Sequence, residues 1–265
     1  MSVSRGLRAQ LGIIVPFWLR VEIHRAWRAI CDMPLRHTLA RRKGCPADFP
    51  FVLAEARSPL ERVPGAVPAP LQRGKEHNVA LVARAIDGVI VEPGQVFSYH
   101  RLVGRPSRWR GFRLGLELRE NRESSGIGGG SCQVSNQLYW LAVQAGMRIV
   151  ERHRHGFDLF PDHERSVPFG CGATVFFNYR DLRFANPLAG PVCIQQRIEA
   201  GALFGRILAE RDPGFRVRIE ERGHRFFVEH GARMRENRLI RIVLDKDGRE
   251  IGREFLAHNR CRVMY

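Results

Sequence analysis

From Ala173 to Tyr265 the chain reads as one strand after another, and that run most limits what the molecule can fold into. "ATVFFNY", "PVCIQQRIEA", "ALFGRILAE", "FRVRIEE", "RFFVEHG", "LIRIVLD" and "EFLAHNRCRVMY" are rich in β-branched and aromatic residues. Turn signals separate them, Asp247-Gly248 among them. The front half has a different period. Residues 5–35 carry a helical pattern, and "EHNVALVARAIDGVIV" sets Val79, Val82, Ala83 and Ile86 on one helical face, with Gly88 placed to end it. A further helix is expected at Ser131–Gly146, where Val134, Leu138, Leu141 and Ala145 recur at helical spacing. The chain is therefore expected to be α+β, with a helix-containing N-terminal half and a glycine-rich loop before a cysteine-led helix, packed against a β-rich C-terminal half.

Punctuation along the chain divides it further. "SPLERVPGAVPAPLQRG" (Ser58–Gly74) holds four prolines and predicts a linker or an extended wrap. "EPGQVFSYHRLVG" offers a type II turn at Pro93-Gly94 leading into a short strand. "RIVERHRHGFDLF" predicts a strand that carries two histidines. The expected division is a basic helix with a proline-rich wrap (1–75), a core domain (76–210) and a C-terminal β-hairpin region (211–265).

The net charge of +16 bears on partners. Of the 43 basic residues only Lys43, Lys75 and Lys246 are lysines, so arginine carries the charge. Such a bias fits a GC-rich genome, yet a basic surface still favours phospholipid head groups or anionic polymers. No arginine-rich recognition helix and no aromatic RNA-binding signature is present, which argues against nucleic acid. The six cysteines follow no paired spacing and predict mostly reduced thiols. Near the N-terminus the apolar run Leu11–Leu19 contains Pro16 and stops at Arg20, short of the about 20 apolar residues a membrane span needs. An amphipathic helix is expected there, packed on the domain or lying on an anionic membrane surface. A cytoplasmic address is the default expectation, with peripheral attachment at the inner membrane face as its variant.

"SSGIGGGSCQVSNQLYW" (Ser124–Trp140) carries the chemistry. Four glycines in five residues precede Ser131 and Cys132. With Ser131 as N-cap, Cys132 becomes the first helical residue, where free N–H groups and the dipole favour a thiolate. The glycine N–H groups could polarise a developing oxyanion. The alternative is a packing corner with a small buried cysteine. Dinucleotide and phosphate-loop readings fail, since no clear apolar strand leads in and no Gly-Lys-Ser/Thr follows. A cysteine nucleophile needs a base, and His153 and His155 lie 21 and 23 residues downstream, on one face if their segment is a strand. Asp158, Asp162, Asn178 or Asp181 could orient the base. A zinc site of Cys132, His153, His155 and Cys171 is the competing arrangement, without paired ligand spacing. No cofactor motif is present.

The stretch "GIGGGSCQVSNQLYWLAVQAG", followed by "IVERHRHGF", resembles the VanW family, named for the accessory protein of B-type vancomycin-resistance clusters. The resemblance extends upstream to "HNVALVARAIDGVIVEPGQVFSYHRLVG" and downstream to "GCGATVFFNYRDLRFAN", and is tight over residues 76–186. It points to Gly128, Gly129, Gly130, Cys132, Gln133, Ser135, Arg152 and His155, and so favours His155 over His153. It also marks a departure: relatives carry an acidic residue where this chain has Gly172. The resemblance implies a setting, glycopeptide resistance and the cell envelope, rather than a reaction. Within it the expected site is a Cys-His acyl-transfer centre, with Cys132 as nucleophile and His155 as base. Gln133 and the glycine N–H groups would hold the oxyanion. Gly128, Gly129, Gly130, Ser135 and Arg152 would bind substrate, a cell-wall precursor peptide or lipid-linked intermediate. The alternative is a non-catalytic module binding such a precursor or anionic lipid head groups.

Overall fold

Where the front half is helical, prolines and apolar spacing set the elements. The computed structural model describes residues 16–61, 67–119, 122–154, 156–158 and 167–265. Helix α1 spans Phe17–Cys31, behind Pro16. After strand β1 (Phe51–Pro59), helix α2 covers Ala69–Ile86 and buries Val79, Val82, Ala83 and Ile86, the face its periodicity predicts. Short strands β2 (Val89–Val91) and β3 (Val96–Ser98) lead into the single-turn helix α3 (Tyr99–Val103). The hairpin of β4 (Leu114–Arg119) and β5 (Arg122–Ile127) delivers the chain to helix α4 (Cys132–Gln144).

Beyond α4 the structure is mostly strand: β6 (Arg148–Glu151), β7 (Phe157–Asp158), β8 (Arg183–Ala185), β9 (Val192–Glu199), β10 (Ala202–Ala209), β11 (Arg216–Glu229), β12 (Ala232–Leu244) and β13 (Glu250–Val263). One sheet runs β1-β10-β9-β2, a second β11-β12-β13-β7, and a third β3-β8-β6. Helices lie mainly in the N-terminal half and strands mostly in the C-terminal half, so the fold is α+β with a strand-rich C-terminal half. The main core lies where α2, α4 and the sheets meet. Leu138 and Leu141 are fully buried there, and Phe97 stacks on Phe184 at 4.5 Å between centroids.

Three segments differ from expectation. The proline-rich stretch is not one wrap, because β1 runs into its start and α2 begins at Ala69, directly after Pro68. "FRVRIEE" and "RFFVEHG" are one strand, β11, which passes Gly223 through a register shift between Arg222 and Arg225. Such a bulge absorbs an extra residue without ending the strand. "ATVFFNY" is no strand: the chain turns there, Phe176 bridges to Arg180, and Asn178 takes a positive φ of 51°.

Candidate functional site

The glycine loop is built by close backbone approach. Gly128 and Gly130 take φ of 87° and 95°, where a side chain is strained. A Cβ on Gly129 would overlap the carbonyl oxygen of Gly115 on β4. Asn78, fully buried on α2, pins the arrangement: its Nδ2 donates to the Arg113 and Gly129 carbonyls at 2.9 Å each, and its Oδ1 accepts from the Arg113 N–H at 2.9 Å. The glycines are thus a packing corner that presses the loop onto α2 and β4. They also line a cleft of about 1220 Å³, together with Cys132.

Ser131 does not cap α4. Its backbone is already helical, at φ −58° and ψ −27°, and its hydroxyl donates to the Gly128 carbonyl at 2.5 Å. Loop amides are largely spent within the loop: Gly129 N–H donates to the Gly126 carbonyl at 3.0 Å, and Gln133 N–H to that of Gly130 at 2.9 Å. Among the described residues the N–H groups of Gly130 and Cys132 donate to no acceptor.

Cys132 is partly buried at the first position of α4. Burial pushes its thiol above the ordinary value, a backbone hydrogen bond from Val175 pulls it down without reversing this, and Glu117 adds repulsion. The shift is thus upward, opposite to the lowering expected at a helix start, with desolvation of the anion as its largest cause. Tyr99, from α3, donates its hydroxyl to the Ser131 carbonyl at 3.2 Å. Burial, and then the nearby Cys132 sulfur, hold that phenol well above its ordinary range, so it stays protonated.

The residues after Cys132 grip the segment that covers it. Ser135 donates from Oγ to the Ala173 carbonyl at 2.7 Å, and the Ala173 N–H donates to Asn136 Oδ1 at 2.8 Å. Gln133 faces the end of β1, where its Nε2 donates to Ser58 Oγ and the Pro59 carbonyl, each at 2.8 Å. Arg152 lies over the Tyr139 ring, 4.4 Å from its centroid, and donates from Nε to the Gly172 carbonyl at 2.8 Å. Its other nitrogens reach the Gly170 carbonyl and Asn259 Oδ1. Burial lowers its pKa, and each of these acceptors is a neutral oxygen.

His153 lies just past the end of β6 at Glu151, outside any strand. It bonds Glu151 Oε1 at 2.8 Å. His155 and Asp162 lie outside the described residues. The only described imidazole lining the cleft is that of His100, a residue that sequence reasoning missed. Its Nδ1 accepts from the Asn178 N–H at 3.1 Å and lies 3.7 Å from Asp181 Oδ1, and burial lowers its pKa. Asn178 and Asp181 thus attend His100, while Asp158 pairs with Arg235 at 2.9 Å. "SYH" in the resembling stretch was the available signal for Tyr99 and His100. Among the described residues, no three His, Cys, Asp or Glu side chains converge as a metal site, and none of the six cysteines is in a disulfide.

Charge distinguishes the cleft. Among the described residues eight basic side chains line it, including Arg25, Lys75, Arg105, Arg152 and Arg154. Its carboxylates are Glu61, Glu117 and Asp158.

Fold and site together define an α+β protein whose cysteine-led helix forms a wall of a basic cleft. The chain belongs to the VanW-like family, whose model, described as VanW like protein, matches residues 74–208. It is similar to the vancomycin B-type resistance protein VanW of Enterococcus faecalis, 26% identical over 195 residues that make up 73% of this chain and 71% of that protein. It is also similar to the uncharacterized protein YoaR of Bacillus subtilis, 34% identical over 134 residues, 49% of this chain and 42% of that one. No solved structure matches it.

Proposed function

We propose that the cleft binds an anionic cell-wall precursor, a peptide or lipid-linked intermediate of peptidoglycan synthesis, at the cytoplasmic face of the envelope. The observation that carries this reading is the excess of basic over acidic side chains around the cleft. In such a concave, partly desolvated site like charges reinforce one another and attract anions. The name of the Enterococcus faecalis relative, a vancomycin resistance protein, supports the envelope setting. Calorimetric titration with a nucleotide-linked muramyl pentapeptide tests it. Binding is expected to weaken with salt and to fall about tenfold in Arg105→Glu/Arg154→Glu, as lost charge attraction requires. Equal affinity in the parent and the double variant would contradict it.

A second reading adds chemistry on the same ligand. It is supported by the Cys132 sulfur on the cleft wall and by the undonated N–H groups of Gly130 and Cys132. Cys132, deprotonated by His155, would attack a peptide carbonyl while those N–H groups held the oxyanion. Gln133 is committed to β1 and would support the site from behind. The thioester forms as the amine leaves with the proton from His155, and water or an acceptor amine then releases the acyl group. Intact-mass detection of an acyl adduct on Cys132, absent in Cys132→Ala, is the expected result. Full function in Cys132→Ala would end this reading.

A further inference from the structure

Helix α1 turns an apolar stripe outward. Leu19, Ile23, Trp27 and Ile30 follow at helical spacing and are 36%, 56%, 65% and 59% exposed. Trp18, Met33 and Leu35 extend the surface at 66%, 56% and 46%. The opposite face of the helix is fixed: Val21 is buried, Arg25 donates to the Phe177 carbonyl at 3.1 Å, and Arg28 pairs with Glu151. A helix anchored by polar bonds on its inner face, with its tryptophans outward, reverses the usual amphipathic order of a surface helix.

Cations collect at the end of this stripe. Arg36 lies in the turn that follows α1, Arg41 donates to the Arg36 carbonyl at 3.3 Å, and both stand close enough to Arg101 to repel its charge. None of the three has a carboxylate within ion-pair distance among the described residues. Arg105, 58% exposed in its side chain, pairs with Glu22 in the first half of α1. The arrangement of tryptophan and aliphatic residues beside unneutralised arginines matches the chemistry of an anionic lipid interface. No described helix is long and apolar enough to cross a membrane.

We propose that the outer face of α1, with Arg36, Arg41 and Arg101, seats the protein on an anionic membrane surface. Val21 and Arg25, on the inner side of the same helix, line the cleft. Seating α1 therefore brings the cleft to the interface, where an anionic ligand with a lipid tail would be presented.

Co-sedimentation of the full-length protein with vesicles tests this. Binding is expected to vesicles of phosphatidylglycerol and phosphatidylcholine, with little to phosphatidylcholine alone. Ile23→Glu/Trp27→Glu, at exposed positions and checked for folding by circular dichroism, is expected to weaken binding at least about tenfold, because it removes apolar contact and adds repulsion. Arg36→Glu/Arg41→Glu is expected to weaken it in low salt. Cys132→Ala is expected to bind vesicles like the parent, which separates this face from the chemistry of the cleft. Absence of binding to anionic vesicles, or undiminished binding by the Ile23/Trp27 variant, overturns the proposal. So does a solution dimer that the same variant dissociates, since a second copy would then occupy the stripe.

Discussion

At the residue scale the thiol decides what chemistry is open to the cleft. Burial holds Cys132 protonated, so alkylation by iodoacetamide is expected to be slow at neutral pH and to rise with a midpoint above the ordinary value of 9.0. Rapid selective labelling of Cys132 below pH 7.5, about one and a half units under that value, would show instead an activated thiolate. Gly129 tests the packing corner. Gly129→Ala forces a methyl group into the Gly115 carbonyl, and is expected to cost about 1–3 kcal/mol in denaturant melts. An unchanged melt would mean that the loop is free to move away from β4.

At the element scale, α1 is held by a network of charges. Arg28 pairs with Glu151, and Arg183 bridges Asp32, just past the helix, to Asp181. Burial alone would raise Glu151. The Arg28 hydrogen bond, the Asp181 N–H and His153 outweigh it and hold Glu151 at about 2, against an ordinary 4.5. A carboxylate depressed in the folded state adds stability that is complete above its unfolded value and lost as pH falls through the folded one. The α1 docking is thus expected to weaken between pH 4.5 and about 2, read by hydrogen exchange of the α1 amides. In Glu151→Gln that acid step is expected to shrink, and an identical step in both proteins would contradict the assignment.

Much of this element layer was legible in the sequence. The buried faces of α2 and α4 follow from apolar spacing, a local property, and β9 and β10 from their composition. "FRVRIEE" and "RFFVEHG" read as two strands because local composition cannot reveal whether the partner strand continues; β12 does, and β11 passes through a bulge. "ATVFFNY" has β composition, yet its Ala173 is gripped by Ser135 and Asn136 from α4. That is a tertiary contact which propensity cannot show. The glycine-cysteine pattern pointed to Cys132, which lines the cleft. The raised thiol was not legible, and "SYH" alone could not show where tertiary packing sets Tyr99 and His100.

At the scale of the whole molecule, α1 joins the two proposed surfaces, one side lining the basic cleft and the other facing outward with its tryptophans. Seven of the forty arginines line that cleft among the described residues. In the proposed reading the ligand lies against Cys132, and ligand protection of that thiol is the most direct test. N-ethylmaleimide labelling would be followed peptide by peptide, with and without saturating muramyl pentapeptide precursor. Ligand is expected to slow labelling of Cys132 while the exposed Cys31 and Cys45 react as before. Labelling of Cys132 at the same rate under saturation would show that the precursor does not occupy the cleft.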